Sequence, residues 1–209
     1  MLFKCLHRLA GCLVAMPLAL SSVSAFASDP SGHFALHGVG AQTCAQYLDE
    51  VKKNDTSTNN LILSWMMGYM TARNRLAANT YDVTPAMPGE AIMQMTNNIC
   101  QKSPDARVET AMDALFKGLA PARVTVDSPF LDLQSGDARF KVRRETFIAV
   151  QDALRKKKLY TGRTEDKMTP AIEAALKAYQ KDQKLPENGL PDAPTVIRLL
   201  VASAGEKAR

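Results

Sequence analysis

The chain has 209 residues, with 26 Lys and Arg against 21 Asp and Glu and a formal net charge of +5. This length suits two small domains with modest cores rather than one large domain. All three histidines precede residue 42, which argues against histidine-based catalysis or zinc binding in the rest of the chain.

Residues 1–27 have the pattern of a secretory signal peptide. A basic start precedes the apolar run Leu9–Leu20, which is too short to span a bilayer. The small residues Ala25 and Ala27 predict cleavage before Ser28. We therefore expect export to the periplasm of a Gram-negative-type cell, without a stable membrane span.

Cys12 offers an alternative, because it follows Leu9-Ala10-Gly11 and so matches the cleavage box of a lipoprotein. The best apolar run follows this box, whereas in a lipoprotein signal it precedes the cysteine. We therefore favour ordinary cleavage over lipid anchoring at Cys12.

The charge is unevenly distributed along the rest of the chain. Residues 28–140 hold 9 Lys and Arg against 12 Asp and Glu, and residues 141–209 hold 15 against 9. This asymmetry predicts two domains with different functions, the second favouring an anionic partner such as the cell wall. A nucleic-acid partner is not expected for an exported protein.

Residues 28–41 lack periodicity and are predicted to be a flexible lead, and residues 42–119 are predicted to form four helices. Thr43 and Gln46 form a capping-box pattern at the first helix. Ser57 or Thr58 is expected to cap the second and most apolar helix, and Ser103-Pro104 is expected to start the fourth. The second helix is predicted to be central and largely buried, with an inward line of Leu61, Trp65, Gly68, Tyr69, Ala72 and Leu76.

Cys44 and Cys100 are the cysteines that remain after signal cleavage. In an oxidising compartment two cysteines within one small domain usually pair, so we predict a disulfide between them. The bridge ties the start of the first helix to the end of the third. The methionines of this region, such as Met66 and Met70, are interpreted as core packing rather than a copper site.

Residues 120–141 contain two prolines and a glycine and are predicted to be a linker that includes short extended pieces. Residues 142–203 then show three apolar helical patterns, and residues 204–209 form a tail. The patterns are centred on Phe147–Leu154, on Ile172–Tyr179 and on Val196–Val201. Asp192, with Pro194 in the first turn, is expected to cap the last helix. The fold class is therefore all-α, with two small helical domains.

A recognisable motif runs from the end of the second pattern into the third. Tyr179-Gln180 is followed by Leu185-Pro186, by Gly189 to Asp192, and by Thr195 before a leucine-rich helix. This order resembles the three-helix peptidoglycan-binding domain appended to many cell-wall enzymes. The sequence departs from that family at Glu165-Asp166 and Thr169 to Ile172, where an Asp-Gly turn and a Gly-x-x-Thr step are usual.

The resemblance implies a three-helix fold and peptidoglycan as partner. The basic run Arg155–Lys158 has two interpretations, a solvated helix end or a contact with acidic groups of the wall. Tyr160 has two as well, since its ring can stack on a sugar or close the core. The candidate peptidoglycan contacts are Arg155, Lys158, Tyr160, Thr161, Gln180 and Asn188.

The first domain resembles two groups of proteins more weakly. Cys44, the Trp65-x-x-Gly68-Tyr69 helix, Cys100 and Pro104 are similar to the disulfide-linked periplasmic acid chaperones of the HdeA and HdeB type. They are equally similar to periplasmic immunity proteins that block type VI secretion effectors. Both resemblances imply protein binding without catalysis.

These observations favour a non-enzymatic envelope protein, without metal or cofactor, that binds peptidoglycan through its C-terminal domain. The N-terminal domain is then expected to engage a periplasmic protein partner. The alternative is a soluble chaperone or toxin-neutralising protein in which the C-terminal domain is only structural.

Overall fold

The structure is a computed structural model that describes residues 28–29, 31–85 and 87–201. This part of the chain is mostly helical, with seven α-helices and a single two-stranded sheet, which confirms the all-α class. None of its helices is both long and apolar enough to cross a membrane.

Several predictions from the sequence fall outside the described residues. They are the signal peptide with its cleavage after Ala27, the alternative lipid site at Cys12, and the tail at 204–209. Ser28 is described, within a unit that ends at Ala35 and is separate from the unit beginning at Leu36. The described part of that first unit contains a tight turn closed by backbone hydrogen bonds.

Four helices follow in the second unit, and their bounds are α1 Cys44–Lys52, α2 Thr56–Leu76, α3 Gly89–Lys102 and α4 Val108–Leu119. The predicted capping box is confirmed. Thr43 Oγ1 accepts a hydrogen bond from Gln46 N at 3.2 Å, and Gln46 Oε1 accepts one from Thr43 N at 2.9 Å. Two otherwise unpaired N–H groups at the start of α1 are thereby satisfied.

Part of the predicted flexible lead is ordered against α2. A short 3-10 helix, Gly38–Ala41, lies over the indole of Trp65, whose Nε1 donates to His37 O at 3.1 Å. A β-carbon on Gly38 would lie 3.2 Å from Trp65 Cδ1, and one on Gly40 would overlap the ring. The two glycines therefore let this segment approach the indole closely.

The start of α2 differs from the prediction. The helix begins at Thr56 with Asp55 as its N-cap, since the Asp55 carboxylate accepts a hydrogen bond from Thr58 N at 2.7 Å. The prediction that Ser57 or Thr58 caps the helix is therefore wrong. Asp55 stands at the N-cap position, directly before the first helical residue, so its carboxylate is the group placed to accept from an unpaired N–H of the first turn.

The predicted inward line of α2 is only partly correct. Trp65 and Tyr69 pack against the core, but Leu61 and Leu76 are 68% and 70% exposed, and Gly68 faces open space. The buried line runs through Ile62 and Met66 instead. Apolar side chains surround this helix, so the 3.6-residue period could not determine which face turns inward.

The fourth helix begins later than Ser103-Pro104 predicts. Segment 104–107 pairs with the start of α1, because Cys44 N donates to Ala106 O at 2.8 Å and Val108 N donates to Gln42 O at 3.1 Å. These backbone groups are therefore not free to begin a helix, and α4 starts only at Val108.

The disulfide between Cys44 and Cys100 is present, as predicted, with its two Cα atoms 4.8 Å apart. Both cysteines are fully buried and join the first residue of α1 to the last turn of α3. They lie within a core that we call the N-terminal core, whose largest buried members are Tyr47, Ile62, Met66, Ile92 and Met112.

Much of the predicted linker at 120–141 is folded. A 3-10 turn, Ala120–Ala122, leads to a β-hairpin of β1 Phe130–Ser135 and β2 Ala138–Arg143. Leu133 and Val142 point inward and are buried with the C-terminal helices. The hairpin is therefore a structural part of the C-terminal half of the unit.

The C-terminal helices are α5 Arg144–Lys156, α6 Pro170–Asp182 and α7 Ala193–Val196, and α7 continues as a π-helical turn over Ile197–Val201. Asp192 caps α7 as predicted, with its carboxylate accepting from Thr195 N at 3.0 Å. These helices and the hairpin enclose a second core, the C-terminal core, which includes Phe147, Val150, Leu154, Ile172, Leu176, Tyr179 and Leu199.

The last helix contributes to both cores. Val196 and Leu199 are buried in the C-terminal core. Ile197 and Val201 pack instead against the N-terminal core. The last helix therefore lies between the two cores. Removing either half of the protein would expose one side of this helix to water.

Candidate functional site

The candidate site is built around the C-terminal end of α5. The helix ends in a left-handed residue, Lys158 with φ 61°, while Lys158 N donates to Arg155 O and Leu159 N donates to Leu154 O. This is the hydrogen-bond pattern of a Schellman motif, which satisfies carbonyls that would otherwise be unpaired. Lysine side chains at this end also interact favourably with the helix dipole.

Arg155 holds the loop that follows α5. Its guanidinium donates to Gly162 O and to Thr164 Oγ1, both at 3.0 Å, and forms an ion pair with Asp152. The same guanidinium lies 5.6 Å from the centre of the Tyr160 ring. Arg155 was predicted as a wall contact, and the structure places it mainly in contacts within its own loop.

Tyr160 closes the core rather than presenting its ring to solvent. The residue is 6% exposed, and its hydroxyl donates to Arg163 O at 2.7 Å. A β-carbon on Gly162 would lie 2.6 Å from Tyr160 Cζ, so the loop crosses directly over the ring. The sequence left two interpretations of this ring, stacking on a sugar or closing the core, and the geometry supports the second.

Gln151 is a component that the sequence analysis missed. It is fully buried, and its amide closes the same loop from inside, donating to Glu165 O at 2.8 Å and accepting from Glu165 N at 2.9 Å. A glutamine on the inward face of α5 is a polar residue at a core position. That position was the signal available in the sequence, because buried polar groups are almost always hydrogen-bonded.

Gln180 plays the equivalent part for the loop between α6 and α7. It too is fully buried, and its Nε2 donates to Asn188 Oδ1, Leu190 O and Thr195 Oγ1 at 2.8 to 3.0 Å. Its Oε1 accepts from Gly189 N at 2.8 Å. Gln180 was predicted to contact the wall, but it is buried and both polar atoms of its side chain are hydrogen-bonded within the protein.

Asn188 is half-buried and also serves this loop. Its Nδ2 donates to Asp192 at 2.7 Å, and its Oδ1 accepts from Leu190 N at 2.9 Å as well as from Gln180. The motif residues that carry the family resemblance are therefore linked by one hydrogen-bond network. The six candidate contacts fall into two groups, with Arg155, Lys158, Tyr160 and Thr161 around one loop and Gln180 with Asn188 in the other.

The end of α6 repeats the end of α5. Lys184 is left-handed with φ 55°, Lys184 N donates to Lys181 O, and Leu185 N donates to Gln180 O. Lys157 Nζ lies 5.8 Å from the centre of the Tyr179 ring, so the end of α5 adjoins the last turns of α6. We call this region the basic end, and it comprises Lys156, Lys157, Lys158, Lys181 and Lys184.

The basic end is electrostatically uncompensated. All five of its lysines are exposed, and none forms an ion pair with any residue in the described part of the chain. Thr161, beside the first loop, is exposed as well. Lys158 and Thr161 are therefore the predicted contacts that remain open to a ligand, and their surroundings suit carboxylates.

Comparison with protein-family models supplies the identity of this region. Residues 143–199 match the model described as "Putative peptidoglycan binding domain". Neither the curated proteins nor the solved structures gave a match. The match confirms the resemblance read from the Tyr179-to-Leu200 motif: residues 143–199 have the pattern of a peptidoglycan-binding domain, and they follow a disulfide-linked helical region.

Proposed function

We propose that this chain is an exported, non-enzymatic periplasmic protein that attaches to peptidoglycan and presents its N-terminal helices to a protein partner. The observation that carries the proposal is the family match at residues 143–199, which coincides with the motif loop and the basic end. The signal-peptide pattern of residues 1–27 supports export, because peptidoglycan lies outside the cytoplasmic membrane.

The basic end would contact the wall polymer through charge. Peptide stems of peptidoglycan carry carboxylates, and five unpaired lysines at two neighbouring helix ends offer complementary positive charge. The loops beside them are held by Gln151 and Gln180 from inside, so they keep their shape before a ligand arrives. Pre-organised loops lower the entropy cost of binding.

The absence of catalysis is part of the proposal. The polar side chains beside the two loops are each hydrogen-bonded within their own loop, as Arg155 is to Gly162 and Thr164 and Asn188 is to Asp192. In this view the domain holds the protein at the wall. Attachment raises the local concentration of the N-terminal helices near a target in the same compartment.

Cosedimentation with purified peptidoglycan sacculi tests the proposal. The chain from Ser28 onward is the form to use, because Ile197 and Val201 pack on the N-terminal core and an isolated C-terminal fragment would expose them. We expect pelleting that survives moderate salt. Pelleting only at low salt would indicate loose electrostatic attraction. No pelleting at either salt would contradict a wall-binding function.

The alternative is a soluble periplasmic chaperone or toxin-neutralising protein, and the exposed leucines of α2 favour it. Leu61 and Leu76 present apolar side chains to solvent on a helix of the N-terminal core. An acid-chaperone role predicts that apolar surface becomes exposed at low pH, which a fluorescent hydrophobic dye reports. Failure to pellet together with acid-induced dye binding would support this function over the first.

A further inference from the structure

The outward face of the β-hairpin is a second surface with binding chemistry. Side chains alternate across a strand, and Leu133 and Val142 face inward, so every second residue on each strand faces outward. The register pairs Phe130 with Arg143, Asp132 with Lys141 and Gln134 with Arg139. We call these six outward residues the hairpin face.

Two aromatic rings are held at one end of this face. The guanidinium of Arg143 lies 4.1 Å from the centre of the Phe130 ring and 5.0 Å from that of Tyr81, which belongs to the loop before α3. Arg143 is fixed in turn by a hydrogen bond to Ser128 O at 2.7 Å. Cation–π contacts on a fixed guanidinium hold both rings in place.

These rings are open to solvent. Phe130 is 47% exposed and Tyr81 is 40% exposed, and Val126, beside the Asp127 that pairs with Arg143, is 58% exposed. Seven large apolar side chains are exposed in the described residues, and three of them are gathered here. Such a concentration of exposed apolar side chains, on and beside an otherwise polar hairpin face, marks an interaction surface.

The charges beside the rings specify the class of ligand. Lys141 is 63% exposed and reaches Asp132 only at 4.0 Å, while Arg139 forms no ion pair with a described residue. The C–H face of a sugar ring packs on the negative face of an aromatic ring, and exposed cations beside it bind carboxylates. A polymer that carries both sugar rings and carboxylates fits this surface best.

The hairpin face and the basic end lie at opposite ends of one helix. Arg143 directly precedes α5, and the basic end begins at its last residue, Lys156. Thirteen residues of α-helix place these ends roughly 20 Å apart. A single extended polymer of several sugar units can reach both, which strengthens attachment by multivalency.

We propose that the hairpin face is a second contact for the same peptidoglycan strand that meets the basic end, with Tyr81 and Phe130 stacking on sugars. The inference rests on the proposed function. Apart from Arg143, the hairpin face lies outside the matched domain, because its other five residues precede residue 143. It predicts a preference for substrate length: long peptidoglycan strands are bound more tightly than single disaccharide-peptide units.

The test uses a double variant, Tyr81→Ser together with Phe130→Ser, and compares it with the unaltered chain. Affinity is measured for whole sacculi and for purified single disaccharide-peptide units. We expect about a tenfold loss for sacculi, and less than about twofold for the single unit. The matched control, Leu61→Ser with Leu76→Ser, removes two exposed apolar side chains from α2 and is expected to leave both affinities unchanged.

A second variant, Arg139→Gln with Lys141→Gln, leaves the rings in place and guards against misfolding of the first. It is expected to weaken sacculus binding at low salt and to lessen its salt dependence. Unchanged sacculus binding in both variants, with the unaltered chain still pelleting, overturns this inference alone. Failure of the unaltered chain to pellet overturns it together with the proposed function. Equal losses on anionic phospholipid vesicles would assign the surface to a membrane instead.

Discussion

Gln151 and Glu165 exchange two hydrogen bonds, in which the buried amide of Gln151 satisfies both the N–H and the C=O of Glu165. One side chain thereby replaces the backbone partner that a strand would supply. Gln180 repeats the arrangement on Gly189 N and Leu190 O. Each of the two loops beside the basic end is thus held by one internal glutamine, although neither loop contains regular secondary structure.

Replacing Gln151 with Leu tests this arrangement. Leucine fills a similar volume but leaves two partly buried backbone groups of Glu165 without their partners. We expect a loss of about 2–4 kcal/mol in the free energy of unfolding, measured by urea denaturation. The control is Gln183→Leu, because Gln183 bonds only to the neighbouring Asp182 at the surface. Equal effects of the two changes would show that the buried contacts add nothing.

The sequence predicted the elements of the fold more accurately than their faces. Regular periodicity and caps located α1, α3, α5 and α6, and two cysteines in one domain predicted the bridge. The exposed side of α2 was not predictable, because apolar residues surround that helix. Likewise, the hairpin depends on burial of Leu133 and Val142 in the C-terminal core, whose members extend to Leu199, and short-range patterns do not report such packing.

The sequence motif of the candidate site was predictable, but the roles of its individual side chains were not. Tyr179-Gln180 and Gly189 to Asp192 identified the family correctly. Residue type alone, however, cannot separate a glutamine that faces a ligand from one that holds a loop. Gln180 and Tyr160 both proved to be buried, and only the three-dimensional packing decides this. Gln151 was missed for the same reason.

The contact between Gly162 and the Tyr160 ring predicts the effect of adding one methyl group. A β-carbon at position 162 would overlap the phenol, so Gly162→Ala must lift the loop from the ring. We expect a loss of about 1–3 kcal/mol in the free energy of unfolding. Gly118→Ala is the control, because that glycine lies in α4 with open space around it. There the methyl is expected to stabilise the helix by about 0.5–1 kcal/mol.

The Cys44–Cys100 bridge closes a segment with a sequence separation of 56 residues. Changing both cysteines to alanine is expected to lower the free energy of unfolding by about 4 kcal/mol, an upper value from loop-closure entropy in the unfolded chain. Urea unfolding compares this variant with the unaltered chain, with and without a reducing agent. An unchanged midpoint, or a midpoint of the unaltered chain that is insensitive to reduction, would contradict a stabilising role.

Glu173 makes stability depend on pH. The hydrogen bond from Lys177, and then that from Ser135, lowers the pKa of its carboxyl below the ordinary value. A group with a lowered folded-state pKa stabilises the protein above its unfolded pKa, and this contribution disappears as pH falls through the folded value. Glu173→Gln is therefore expected to be less stable than the unaltered chain at pH 7. The difference in urea midpoint between this variant and the unaltered chain should disappear as the pH falls to about 3.

Glu187→Gln is the matched control for this pH series, because Glu187 is exposed and no described residue bonds to its side chain. It should follow the unaltered chain at every pH. A gap for Glu173→Gln that stays constant from neutral to acid pH would mean that its carboxylate charge plays no part.

The basic end gives the last prediction. Changing Lys156, Lys157 and Lys158 together to glutamine removes three exposed charges without disturbing any ion pair among the described residues. Cosedimentation with sacculi at low salt is expected to weaken by about tenfold, because attraction to stem-peptide carboxylates is lost. The difference from the unaltered chain should narrow at moderate salt, where screening already suppresses this attraction. The same charge is removed in the control Lys53→Gln, Arg75→Gln, Lys102→Gln, which alters exposed cations in or beside the N-terminal helices that form no ion pair with a described residue. If both triple variants lose binding equally, net charge rather than the basic end attracts the chain to the wall.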